Sequence, residues 1–239
     1  MQKEDIKSFE KEFSKNAKNY SRYNIVQKKV AKKLISKIKN NPKNILDLGC
    51  GSGELYKLID WNIEKFTAVD ISEKMCAIHP KNNRIKVINA DYEDEILYRH
   101  ILKNENFDLI ISSSSLQWCR DIEKVVKNIS NFSRKCAVSI FCDGTFKTIY
   151  DISTLKTFLP NSKKVIKIFQ KYFDIKYEIE NYKLYFEDNF SKFRYIKRSG
   201  VSGGKRQLSY TQTKYLIENY PLDYLEFEIL YITGDLKCF

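Results

Sequence analysis

Glycine is scarce: the chain has eight in 239 residues, where average usage near ~7% would give about 17. Six of the eight fall in two clusters, Gly49, Gly51, Gly53 and Gly200, Gly203, Gly204, so these mark places where the backbone needs glycine. The four prolines, at 42, 80, 160 and 221, are never adjacent and read as element boundaries. Histidine is scarcer still, with only His79 and His100, and the six cysteines at 50, 76, 119, 136, 142 and 238 contain no C-x-x-C pair. That excludes zinc spacings, and with them metallohydrolases and zinc fingers. The cysteines read as reduced thiols, which argues against a disulfide scaffold and for a cytoplasmic protein. Cys50, inside the first glycine cluster with no histidine near it in sequence, does not read as a nucleophile. No apolar run is long enough to span a bilayer. The opening MQKEDIKSFEKEF has no apolar core of signal-peptide length, so no export is expected.

Hydrophobic residues make up 43% and charged residues 30% of the chain, a globular balance, and the length allows one to two domains. The net charge of +12 is concentrated. Residues 14–43 hold ten Lys or Arg and residues 189–217 seven, both without an acid, leaving a body of net −5. Two such segments suit a polyanionic partner, nucleic acid or an acidic protein. The alternative is that lysine merely solvates helix faces.

Residues 3–20 place Ile6, Phe9, Phe13, Ala17 and Tyr20 at helical steps. Residues 24–39 repeat the pattern, with Val26, Val30, Leu34 and Ile38 on one stripe and Lys28, Lys29, Lys32 and Lys33 opposite. After Pro42, short β-branched runs at 44–49, 66–70, 85–90, 107–112 and 137–141 alternate with helical stretches at 53–60, 72–79, 93–103 and 121–132. This predicts βαβ units around a buried parallel sheet. Residues 145–170 read as a helix broken near Pro160. Two strands at 172–187 and 225–233 follow, with helices at 189–199 and 211–219 between them. Those last strands lack a βαβ crossover and predict an antiparallel addition.

The string that carries chemistry is ILDLGCGSGEL, residues 45–55: a strand, a glycine turn and a helix start. Glu54 stands where a dinucleotide fingerprint needs glycine, and the G-K-[ST] of a P-loop is missing, so NAD binding and nucleotide hydrolysis are both disfavoured. What remains is close backbone approach to a ligand without a pyrophosphate. Asp47, an anion at the end of the strand, suits a ligand carrying an ammonium group.

This string resembles the first motif of the class I S-adenosylmethionine-dependent methyltransferases, and later residues match in order and spacing. The resemblance implies that Asp47, Gly49, Gly51 and Gly53 cradle the cofactor. Asp70, ending the second strand, would accept hydrogen bonds from both ribose hydroxyls, and Ile71 would pack on the adenine. Asp91, with Tyr92 beside it, would hold the adenine amine, and Ser112 with Ser113 would lie near the methyl group. The expected architecture is a Rossmann-like α/β domain over residues 1–239. Its sheet is mainly parallel and seven-stranded, with an antiparallel carboxyl-terminal strand. A helical cap occupies residues 1–41, the cofactor core 42–144, and an acceptor-side lid with the last strands 145–239.

The acceptor is less legible. The chain lacks the [DN]-P-P-[YFW] loop of amino-group methyltransferases, any Pro-Cys pair for cytosine chemistry, and an obvious base. These absences fit a carboxylate, which is already a nucleophile at pH 7. FEKEFSKNAKNYSRYNIVQKKVAKKL is similar to the amino-terminal segment of the malonyl-acyl-carrier-protein O-methyltransferases of biotin synthesis, the BioC type. Leu116, Gln117 and Trp118 stand in DLIISSSSLQWCRD as in that family, and GTF at 144–146 and FRYIKRSGVSGG at 193–204 resemble its later segments. Ser113 and Ser114 depart from its usual Asn and apolar residue. The resemblance implies that Tyr20 and Gln27 close over the cofactor, that Trp118 walls the acceptor pocket, and that a cation, Lys197, Arg198 or Arg22, holds the carboxylate. No catalytic residue is certain; Tyr20, Trp118 and Arg198 are the candidates, and no metal is expected. The implied partner is malonyl-loaded acyl-carrier protein or malonyl-CoA, with no membrane. The alternatives are a methyltransferase of RNA or of a small carboxylic acid, or a cofactor-binding homologue without catalysis.

Overall fold

The computed structural model describes residues 24–199 and 208–237. The expected helix at 3–20, Tyr20, Arg22 and the second glycine cluster lie outside them. Helix α1 (Ile25–Ser36) buries Val26, Val30 and Leu34 of the stripe read from the sequence, together with Ala31, and ends before Ile38. The βαβ region follows as β1 (Asn44–Leu48), α2 (Glu54–Leu58), β2 (Lys65–Asp70), α3 (Glu73–Ile78), β3 (Ile85–Asn89), β4 (Leu109–Ser113), α4 (Ile122–Phe132) and β5 (Lys135–Phe141). Then come α5 (Lys147–Ser153), α6 (Ser162–Tyr172), β6 (Phe173–Tyr185), α7 (Asn189–Ser199), α8 (Tyr210–Asn219) and β7 (Tyr224–Leu236).

The seven strands form one sheet in the order β3-β2-β1-β4-β5-β7-β6. β1 to β5 pair in parallel, and β7 runs antiparallel to both β5 and β6. The strand order reverses at β1 and β4, the switch point where open α/β sheets bind ligands at their carboxyl ends.

Side chains alternate across each strand, and the two cores keep that alternation. Leu46, Leu48, Ile110, Val138 and Ile140 pack with Val125, Val126 and Ile129 of α4 and with Val165 and Phe169 of α6. Ile45, Leu109, Ile111 and Ala137 face the other way, onto Val26, Val30 and Leu34 of α1 and Leu55 of α2.

One expected element differs. In place of a helix over 93–103 there is a single π-helical turn, Leu97–Ile101. Asp91 Oδ1 accepts the Glu93 N–H at 2.8 Å and Asp94 Oδ1 the Ile96 N–H at 3.0 Å. These local carboxylate–backbone bonds compete with helical ones and delay the turn. Pro160 does break the 145–170 stretch, and Asn161 caps α6 by accepting from the Lys164 N–H.

Candidate cofactor and acceptor site

β1 delivers Asp47 and then turns at Gly49, whose N–H donates to Val69 O at 2.8 Å, with the Cys50 N–H donating to the same oxygen at 3.0 Å. Gly49 has φ +74°, and a Cβ there would lie 1.9 Å from Ser115 Oγ, so this turn admits only glycine. Gly51, at φ +51°, has nothing within 4 Å of where its Cβ would be: its backbone faces open space. Gly53 packs on His79, a residue whose imidazole pKa burial lowers.

Asp70 ends β2 beside this turn. Its Oδ2 accepts the Gly51 N–H at 2.8 Å and its Oδ1 the Ser72 N–H at 2.8 Å. Burial raises its pKa, and those two N–H groups oppose the rise. A carboxylate has about four acceptor sites, so capacity for further donors remains. Ile71, half-buried, follows it.

Asp47 is fully buried, and neither carboxylate oxygen has a hydrogen-bond partner among the described residues; the same holds for Gln27 Oε1. Burial, followed by the charge of Asp70, pushes the Asp47 carboxyl well above the usual carboxylate range. A cavity of about 60 Å³ brings these groups together: Asn24 just before α1, Gln27 and Ala31 from α1, Asp47, the turn from Gly49 to Ser52, Glu54 and Leu55, with Ser113 ending β4 and Ser114 after it. Buried acceptors without donors call for a donor from outside. An ammonium group meets that need, and the open backbone at Gly51 gives it company. The residues present therefore fit a cofactor with an amino-acid end.

Two expected contact residues lie elsewhere. Ser112 is fully buried and donates to Leu48 O at 2.7 Å. It shares its strand face with Ile110, away from α1, so alternation turns it from the cavity. Tyr92 is a packing residue: it is buried, its hydroxyl donates to Ser115 O at 3.1 Å, and its ring backs Gly49. Cys50 is also excluded from nucleophilic work, since burial first, and then the charges of Asp70 and Asp47, push its thiol well up.

Asp91 stands at the end of β3, as expected, but with a partner the sequence did not suggest. Arg120 Nη2 donates to Asp91 Oδ2 at 3.0 Å, and its Nε donates to Glu93 Oε2 at 3.0 Å. Buried Glu93 also accepts the backbone N–H groups of Arg120 and Asp121, at 2.9 and 3.0 Å. This knot ties the loop after Trp118 to the end of β3. Trp118 itself is half-buried and stacks on Phe158, with centroids 5.4 Å apart. Lys197 and Arg198 are exposed in the last turn of α7, and neither lines the cavity.

Residues 46–141 match the family described as a methyltransferase domain, with the glycine turn, Asp70 and Asp91 inside the match. The fold is that of the class I methyltransferases. A solved structure of similar shape is an S-adenosylmethionine-dependent methyltransferase of Thermotoga maritima, a possible histamine N-methyltransferase. It has a TM-score of 0.59 at 16% identity, with 96% of this chain and 100% of that one covered. Among curated proteins, this chain is 34% identical over 155 residues to the malonyl-[acyl-carrier protein] O-methyltransferase of Acetivibrio thermocellus, covering 61% of this chain and 53% of that protein. The protein of the same name from Anoxybacillus flavithermus is 34% identical over 156 residues, with 61% and 57% covered. The chain thus spans little more than half the length of the curated relatives it matches. Among the described residues, no helix is long and apolar enough to cross a membrane.

Proposed function

We propose that this chain is an S-adenosylmethionine-dependent methyltransferase that esterifies the free carboxylate of a malonyl thioester, carried by acyl-carrier protein or by coenzyme A. The methyl ester is then the primer for biotin synthesis in the cytoplasm. The observation that carries the cofactor half is the pair of buried, unpartnered acceptors, Asp47 and Gln27, beside a glycine turn with open backbone at Gly51. The acceptor half is supported by the relatives' names and by the site's chemistry.

When bound, the cofactor supplies an electrophilic methyl group on a sulfonium. Asp47 and Gln27 accept from its ammonium, and the free acceptor sites of Asp70 take the two ribose hydroxyls. Ile71 covers one face of the adenine. The Asp91 carboxylate, held in place by Arg120, accepts from the adenine amine. Trp118, braced by Phe158, walls the acceptor and excludes water. The remaining task is to align donor and acceptor, where most of the rate advantage of an in-line displacement arises. A carboxylate acceptor needs no base, and the described lining of the cavity holds no histidine, lysine or tyrosine.

Purified protein, labelled cofactor and four acceptors test the proposal. Malonyl-CoA and malonyl-acyl-carrier protein should gain a base-labile methyl ester, while acetyl-CoA should stay unlabelled for want of a nucleophile. Labelling of transfer RNA with none on malonyl thioesters would overturn it. Reversing the charge of Lys197 should slow the carrier-protein reaction more than the malonyl-CoA reaction, with the gap closing as salt screens it.

A further inference from the structure

Four serines follow Ile111, and the structure divides them. Ser112 and Ser115 are spent inside the protein, on Leu48 O and on the Tyr92 hydroxyl. Ser113 and Ser114 line the cavity that Asp47 and Gln27 share. Ser113 sits on the α1 face of β4, in register with Ser139 of β5. The fully buried Ser139 donates its hydroxyl proton to Ser113 Oγ at 2.9 Å. The acceptor side of Ser113 is thereby engaged, and its own proton is left to donate onward. Ser114 Oγ lies 3.5 Å away.

Ser114 is fixed with unusual care for an undemanding residue. Its φ is +57°, a conformation that L side chains seldom adopt. Its N–H donates to Ser139 O at 2.9 Å, and its carbonyl accepts from Gln117 Nε2 at 2.7 Å. The result is two small hydroxyl groups, oriented from behind, at the edge of the cofactor cavity.

We infer that Ser113 and Ser114 hold the acceptor carboxylate by hydroxyl donation and so set the acceptor class. This rests on the carboxylate-methylation reading above. Among the described lining residues of this cavity there is no lysine or arginine. That suits the chemistry, because the acceptor loses its negative charge as the methyl transfers. A cation at this point would stabilise the charged ground state more than the transition state and slow the step. Neutral hydroxyls position the oxygens with a weaker hold that changes less along the reaction.

The test uses calorimetry of malonyl-CoA and acetyl-CoA on protein saturated with S-adenosylhomocysteine, alongside initial rates. Ser114→Gly keeps the left-handed backbone and deletes only the hydroxymethyl group, Ser113→Ala deletes the other hydroxyl, and Ser113→Thr restores it. Each hydroxyl deletion should weaken malonyl-CoA binding about 10-fold or more and raise KM. Malonyl-CoA binding should fall far more than acetyl-CoA or S-adenosylhomocysteine binding, an unchanged melting temperature shows that the variants are folded, and Ser113→Thr should recover most of the loss. Unchanged malonyl-CoA affinity in both deletions, or an equal loss for acetyl-CoA, would overturn the inference and leave the proposed reaction standing. Wild-type protein that methylates neither malonyl-CoA nor malonyl-acyl-carrier protein would instead bring down the reaction, and the inference with it.

Discussion

Helix α1 meets carboxylates at both of its ends. Near its carboxyl end, Lys33 Nζ lies 2.6 Å from both Glu178 and Glu180 of β6, and Lys37 Nζ lies 2.6 Å from Glu178. Tyr182 adds a hydroxyl to Glu180 at 2.6 Å. Bonds from Lys33 and then Lys37 hold Glu178 down to about 2, and against the burial that lowers it, Lys33 is raised to about 12. Near its amino end, Gln27 Oε1 and the Asp47 carboxylate face one cavity, and among the described residues none of these oxygens has a hydrogen-bond partner. Charges with partners are architecture: they clip α1 to the β6–β7 pair. A buried carboxylate without a partner is a cost that folding does not require, and it marks where a ligand is expected. The difference also moderates the sequence's charge argument, since part of the first basic segment is neutralised within the fold.

Gly49→Ala tests the ligand end most severely. It places a Cβ at 1.9 Å from Ser115 Oγ at a positive φ. Overpacking plus strain should cost more than about 3 kcal/mol, read as a large fall in melting temperature with cofactor binding lost. Gly51→Ala, with open space around it but a φ of +51°, should cost only the ~1–2 kcal/mol of a left-handed L residue and lose cofactor affinity, separating the turn's two roles.

Asp47→Asn should give effects of opposite sign. Cofactor-product affinity should fall about 100-fold, within the ~1.5–3 kcal/mol of a hydrogen bond to a charged group. The ligand-free protein should gain stability, because a neutral amide costs less to bury than a carboxylate without a partner. Calorimetry and thermal denaturation on one preparation check both. A variant that loses stability instead would mean that Asp47 has a structural partner and that the comparison fails.

Asp70→Ala removes the acceptor proposed for the ribose and also frees the Gly51 and Ser72 N–H groups. It should weaken cofactor binding by ~1.5–3 kcal/mol, and unchanged affinity in a folded variant would remove that role.

The two ends also answer pH in opposite senses. Glu178, depressed to about 2, contributes stability above the ordinary carboxylate range and loses it as pH falls towards 2. Asp47, raised by burial, contributes fully below the ordinary carboxylate range. Its contribution is lost as pH rises towards its raised value. Lys33→Met should flatten the first response. Because Glu178 is 45% exposed, the loss should stay under about 1 kcal/mol, the smallest effect here, and shrink further in salt.

Much of this protein is local information, and the sequence alone determined it. The stripe on α1, the alternation of β-branched runs with helices, and the glycine turn followed by Asp70 and Asp91 at strand ends each rest on spacings within one or two elements. Backbone periodicity fixes which side such residues face. The same rule, applied to the run of four serines, would have turned Ser112 from the cavity and Ser113 towards it, a step the motif match concealed. The last two strands were legible as strands, yet their order in the sheet was not. What only the tertiary structure decided are contacts between residues far apart in the chain: Arg120 on Asp91 and Glu93, Lys33 on Glu178 and Glu180, Ser139 behind Ser113, and Gln27 against Asp47. No local pattern encodes these pairs, because each depends on which strand lies beside which. Above all, a sequence shows that Asp47 is present but not that it is buried without a partner, since the missing donor is a property of everything packed around it.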